Sequence, residues 1–140
     1  MPDPRPQPPS PPSVRELWGA DESSLLYAAA ACCREEDPAD AAILRAAAER
    51  GVTPRDIDAR RPLAGVHPLD DRGRMSVLRA DGVLYVKGSP AAVLPRCTSL
   101  LPGTREANER MAARGLTVVA VATGSSDAEE RLTLWGLIGL

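Results

Sequence analysis

Residues 74–88 read RMSVLRADGVLYVKG, and the fold follows from how this stretch is divided. Two short runs rich in β-formers, Met75 to Arg79 and Val83 to Lys87, flank the dipeptide Asp81-Gly82. That dipeptide is a strong hairpin signal, because glycine accepts the left-handed backbone that tight turns need. The second run stops at Gly88. Ser89-Pro90 then caps another helix, read through SPAAVLPRC at 89–97, with proline at the first helical position.

Helices dominate on the N-terminal side. From Ser23, SSLLYAAAACC is apolar nearly all round, which predicts a largely buried helix. DPADAAILRAAAERG is the clearest helix: Asp37 caps it, Pro38 follows, Asp40 lies in the positive first turn and Gly51 ends it. TPRDIDARR repeats the pattern with Thr53 and Pro54. On the C-terminal side, TREANERMAARG predicts an amphipathic helix closed by Gly115. LTVVAVAT and LTLWGLIGL predict two more strands around the polar GSSDAEE. The expected class is α+β, an antiparallel sheet flanked by helices. Residues 1–13, MPDPRPQPPSPPS, are expected to be a disordered, extended leader, leaving 14–140 as the folded domain.

Composition narrows the function. The chain has 140 residues and a net charge of −2, which gives no basic field to attract nucleic acid or an anionic membrane. Aromatics are 3% and phenylalanine is absent, so a thin core of Leu, Val, Ala and Ile is expected. Cys32, Cys33 and Cys97 have no C-x-x-C spacing and read as buried free thiols of a reducing compartment. With no signal-peptide pattern and no apolar run long enough to span a bilayer, a cytoplasmic location is expected.

Common catalytic signatures are missing. The sequence has neither G-x-x-x-x-G-K-[ST] nor G-x-G-x-x-G, and no G-x-S-x-G. Its single histidine, His67, has no second His or Cys at metal-ligand spacing and reads as a loop residue. Lys87 stands out. The chain has 17 lysines and arginines, and every one but Lys87 is arginine. A compact ammonium between an apolar strand and a Gly-Ser-Pro helix start is suited to face a phosphate-bearing ligand.

Five segments together resemble a family. YVKGSPAAVLPRC (85–97) is similar to the K-G-A-P-E-x-x-L-x-x-C segment of the nucleotide-binding (N) domain of cation-transporting P-type ATPases. DPADAAIL (37–44) resembles its D-P-x-D/E-x-A-L helix start, and HPLDDRGRMSVL (67–78) its P-F-x-S-x-x-K-R-M-S-V segment. MAARGLTVVAVA (111–122) and LTLWGLIGL (132–140) resemble M-A-x-x-G-L-R-V-L-A-x-A and L-x-x-x-G-L-x-G-L, in the family's order. The likeness spans roughly Leu25 to Leu140.

The resemblance implies a domain that holds ATP, with its accompanying Mg²⁺, between sheet and helices for transfer of the γ-phosphate to an aspartate in a separate domain. By position, Lys87 and Gly88 would line the adenosine pocket, Asp40 would contact the adenine side, and Arg74, Met75 and Ser76 would form the pocket wall. Leu69 stands nearest the family's adenine-stacking aromatic, Gly73 replaces the lysine before R-M-S, and Thr117 replaces an arginine. Stacking on an aromatic contributes roughly 1–3 kcal/mol, so binding near millimolar, about −4 kcal/mol, is expected. D-K-T-G-T and T-G-E-S are absent, so this chain by itself is not expected to hydrolyse ATP or pump ions. The expectation is a nucleotide-binding module truncated or severed from its transporter, with a separately encoded transporter body as partner. The alternative is a degenerate N domain that serves as a regulatory or protein-interaction module.

Overall fold

The central hairpin forms where the two β-rich runs and Asp81-Gly82 place it. In the computed structural model, which describes residues 12–33, 37–70 and 73–140, its strands run Arg74–Arg79 and Leu84–Gly88. The turn differs from the two-residue form that Asp-Gly most often makes. The Gly82 N–H donates to the Arg79 carbonyl at 3.0 Å, and the Arg79 N–H donates to the Val83 carbonyl at 3.1 Å. Only Gly82 takes a left-handed backbone, at φ +82°, while Asp81 accepts the Val83 N–H at 3.0 Å through its carboxylate. This is a type I turn followed by a left-handed glycine, the commonest three-residue hairpin connection.

In chain order the elements are β1 (Glu16–Gly19), α1 (Glu22–Ala30), α2 (Pro38–Ala48), α3 (Pro54–Arg60), β2 (Leu63–His67), β3 (Arg74–Arg79) and β4 (Leu84–Gly88). They continue with α4 (Pro90–Val93), β5 (Cys97–Ser99), α5 (Thr104–Ala113), β6 (Val118–Gly124) and β7 (Leu132–Gly139). The sheet order is β1-β7-β6-β4-β3-β2, antiparallel at each step, and β5 adds a parallel pairing to β7. The protein is therefore α+β.

Alternation along the strands divides the core into two layers. One face presents Met75, Val77, Tyr85, Val121 and Ile138 to α1, α2 and Ile57 of α3. The other presents Leu84, Val86, Ala120, Ala122, Leu134 and Leu137 to Val93 of α4 and to Ala107 and Met111 of α5. Alanines 28–31 are all buried, and such small side chains let α1 lie close to its neighbours. Arg79 ties this layer together: its guanidinium donates to Asp58 at 2.5 Å, the Ala31 carbonyl at 2.7 Å and the Arg61 carbonyl at 3.2 Å.

Several boundaries differ from the sequence expectation. α1 starts one residue early, capped by Asp21, whose carboxylate accepts the Ser24 N–H at 3.0 Å. The helix read through 89–97 is only α4, followed by a 3₁₀ turn at Leu94–Arg96, and Cys97 already belongs to β5. Pro95 lacks the N–H that an α-helix would use there. His67 ends strand β2 rather than sitting in a loop. Most of the proline-rich leader, residues 1–11, lies outside the described residues. The Pro12 carbonyl accepts from Arg45 at 2.9 Å. Among the described residues no helix is long and apolar enough to cross a membrane.

Gly82→Ala places a Cβ on a left-handed backbone and should cost about 1–2 kcal/mol. A urea titration is expected to show a lower midpoint with an unchanged far-ultraviolet spectrum. An unchanged midpoint would contradict the turn assignment.

Candidate functional site

The start of α2 and the end of β4 meet over the sheet. Asp37 caps α2 by accepting the Ala39 N–H at 2.8 Å, and Pro38 occupies the first turn. This fixes Asp40 on the inner side of that turn, 2% exposed. On β4, Lys87 stands opposite Met75 in register, which aims it to the same face. Its Nζ lies 2.6 Å from Asp40 Oδ1, with the side chains 10% and 3% exposed. The single lysine is thus held by a carboxylate of the chain itself. A compact ammonium suits that spot, where the larger planar guanidinium would need more room.

Electrostatics around the pair favour the charged lysine. Burial alone disfavours the ammonium, yet its pKa is held above the ordinary lysine value by nearby negative charge, from a Cys32 thiolate and from the Asp40 carboxylate. At neutral pH the carboxylate carries this effect, because burial pushes the Cys32 thiol up to about 12. Burial raises Cys33 as well. Both thiols therefore stay protonated and poorly nucleophilic.

A cavity of ≈ 200 Å³ opens beside the pair. Of the residues singled out in the sequence, Asp40, Leu69, Met75, Lys87 and Gly88 line it. Arg74 and Ser76 do not. Strand alternation sends them to the opposite face from Met75, where Arg74 Nε lies 3.5 Å from Glu129 Oε1 and Ser76 is fully buried. Ile43, Thr117, Val118 and Val119 also line the cavity. Ile43 was legible as the residue one helical turn beyond Asp40. Val118 and Val119 follow only from the β4–β6 pairing.

Gly88 has a steric reason. A Cβ there would lie 2.4 Å from the Gly73 carbonyl oxygen and 2.6 Å from Arg74 Cα. The chain before β3 crosses this point closely enough for the Ser89 N–H to donate to the Gly73 carbonyl at 3.0 Å. Larger hollows of ≈ 490 Å³ and ≈ 530 Å³ lie beside Arg114 and Arg131, but neither is lined by a buried ion pair. His67 Nε2 lies 2.8 Å from Asp127 Oδ1. Among the described residues no group of His, Cys, Asp and Glu is placed to hold a metal ion.

No protein-family model matches the chain, and no curated protein matches it.

Two outcomes follow from this geometry. Gly88→Ala should lower stability by several kcal/mol, since the clash is with backbone rather than a flexible side chain. A variant that unfolds at the wild-type urea midpoint would contradict the close crossing. The second concerns alkaline pH. Lys87, Tyr85 (pushed up to about 12), Cys32 (about 12) and Cys97 (about 11) all hold their protons more tightly when folded. The unfolded chain releases them first, from the thiols' ordinary 9.0 upward. Stability is therefore full below about pH 9 and falls as pH rises beyond it. Urea midpoints under reducing conditions should be flat from about pH 7 to 8.5 and lower at about pH 11; a flat profile would contradict the burial of these groups.

Proposed function

We propose that the chain is a nucleotide-binding module that takes the adenosine end of ATP, or of a related nucleotide, into the cavity beside Lys87 and Asp40. The observation that carries this reading is convergence. Residues from four of the segments that resemble P-type ATPase N domains, Asp40, Leu69 with Met75, Lys87 with Gly88, and Val118 with Val119, line one cavity. A size of ≈ 200 Å³ is below the roughly 300–1,000 Å³ of pockets that enclose a whole drug-sized ligand. It suits a base with part of its ribose, leaving the triphosphate and its Mg²⁺ outside. Lys87 spends its charge on Asp40, so affinity comes from burying the base rather than from pairing with phosphate. A dissociation constant near millimolar, about −4 kcal/mol, is consistent with that.

Under this reading ATP hydrolysis is no property of the chain alone. The absence of a D-K-T-G-T motif assigns phosphoryl transfer to another domain or to a separately encoded transporter body, with this module on the cytoplasmic side. A second reading, a degenerate domain that serves protein contacts without useful nucleotide affinity, is favoured by one observation. Leu69, where the family has its stacking ring, is 58% exposed.

The test is a proton–nitrogen NMR titration with ATP, with and without magnesium, and with adenosine. Saturable shifts at Asp40, Met75, Lys87 and Gly88 are expected, with adenosine and ATP binding within about threefold of each other. Leu69→Phe should tighten both by about tenfold through restored stacking. Flat spectra up to about 10 mM nucleotide would support the second reading instead.

A further inference from the structure

The chain has two tryptophans, two tyrosines and no phenylalanine, and three of those four rings line a different cavity. Tyr27 of α1, Tyr85 of β4 and Trp135 of β7 border an open hollow of ≈ 360 Å³ together with Ala28, Val52 and Arg61. This is larger than the Lys87 cavity and falls within the range that holds a small organic ligand. A protein with so few aromatics gathers most of them at one opening on the α1 face of the sheet.

The polar tips of these rings are engaged within the protein. Trp135 Nε1 donates to Thr123 Oγ1 at 2.8 Å, the Tyr27 hydroxyl accepts from Arg61 Nη1, and the Tyr85 hydroxyl approaches Asp81 Oδ2 at 3.4 Å. What the rings can offer a ligand is therefore their flat hydrocarbon surface. Arg61 supplies the remaining chemistry. Its guanidinium sits 5.0 Å from the Tyr27 ring centroid, and Nε donates to Asp81 at 2.7 Å. Among the described residues no acceptor takes its Nη2 hydrogens, and the side chain is 37% exposed. An arginine stacked on a ring and held by a carboxylate is fixed in position, with N–H donors left for an incoming acceptor.

We propose that this cavity binds a planar aromatic carboxylate, its ring between Tyr27, Tyr85 and Trp135 and its carboxylate on Arg61. A flat ring matches the walls, and a carboxylate matches the guanidinium fork through charge-assisted hydrogen bonds. The site is separate from the nucleotide cavity, so the two bind independently.

The probe is 2-naphthoate, titrated into the full chain and followed by proton–nitrogen NMR. Saturable shifts of the Ser24, Tyr27 and Val52 amides and of the Trp135 indole N–H are expected, at a dissociation constant below about 1 mM. The neutral analogue 2-naphthylmethanol should bind about tenfold more weakly, and adenosine at about 10 mM should not displace naphthoate. The neutral analogue probes the Arg61 contact in the unaltered protein, so the outcome does not depend on whether a variant folds. No saturable shift at about 10 mM naphthoate would overturn the site, as would shifts confined to Lys87 and Gly88. Equal affinity for the neutral analogue would overturn the carboxylate assignment.

Discussion

A buried ammonium and carboxylate 2.6 Å apart, Lys87 on β4 and Asp40 on α2, set the constraint on which this structure turns. Removing two charges from water is costly, and their mutual attraction repays it only when the geometry is close and further bonds satisfy what remains. Once formed, the pair is strongly directional. It requires α2 to begin where it does and requires β4 to end with its last inward side chain pointing at that helix. The cap at Asp37, Pro38 after it and the bare Gly88 each serve that meeting. The cavity opens beside the pair, with apolar walls from Met75, Ile43 and Val119.

The rest of the architecture distributes similar ties at longer range. Arg79 joins β3 to the end of α1 and to α3, and Arg61 joins the residue after α3 to the β3–β4 turn at Asp81. Glu16 of β1 is held by Arg110 of α5 and by Arg114, the residue just after that helix. The core between these ties is rich in alanine and poor in rings, so helices approach the sheet closely. The four aromatic residues pack in or against the core, and three of them, Tyr27, Tyr85 and Trp135, also border one opening, which makes it chemically distinct from the Lys87 cavity.

Local signals identified much of the fold. Asp37-Pro38, Thr53-Pro54 and Ser89-Pro90 all cap helices, and Ser89 accepts the Ala92 N–H at 3.3 Å. The central hairpin and the last two strands also lie where the β-rich runs place them. The strands without a local signal are β1, β2 and β5. ELWG and CTS are too short to show a period, and LAGVH carries a glycine at an irregular pairing on the sheet edge. They exist because partners on β7 and β3 complete them, which is non-local information. The same limit governs the site. Lys87 and Asp40 were legible by residue type, but that each is the other's partner depends on how α2 packs on the sheet. The family resemblance carried Arg74, Met75 and Ser76 over together as one R-M-S segment, whereas a strand sends adjacent residues to opposite faces.

The most direct measurement is a double-mutant cycle on Lys87 and Asp40. Stability would be determined by urea unfolding for the wild type, Lys87→Met, Asp40→Leu and the double variant. Each single change removes one member of the buried pair, while the double change leaves two apolar side chains in contact. The predicted result is two strongly destabilised single variants, by about 3–5 kcal/mol each, and a double variant that recovers much of the loss, with a coupling energy of at least about 2 kcal/mol. Single effects that simply add in the double variant would contradict the pair's role as the joint between α2 and the sheet.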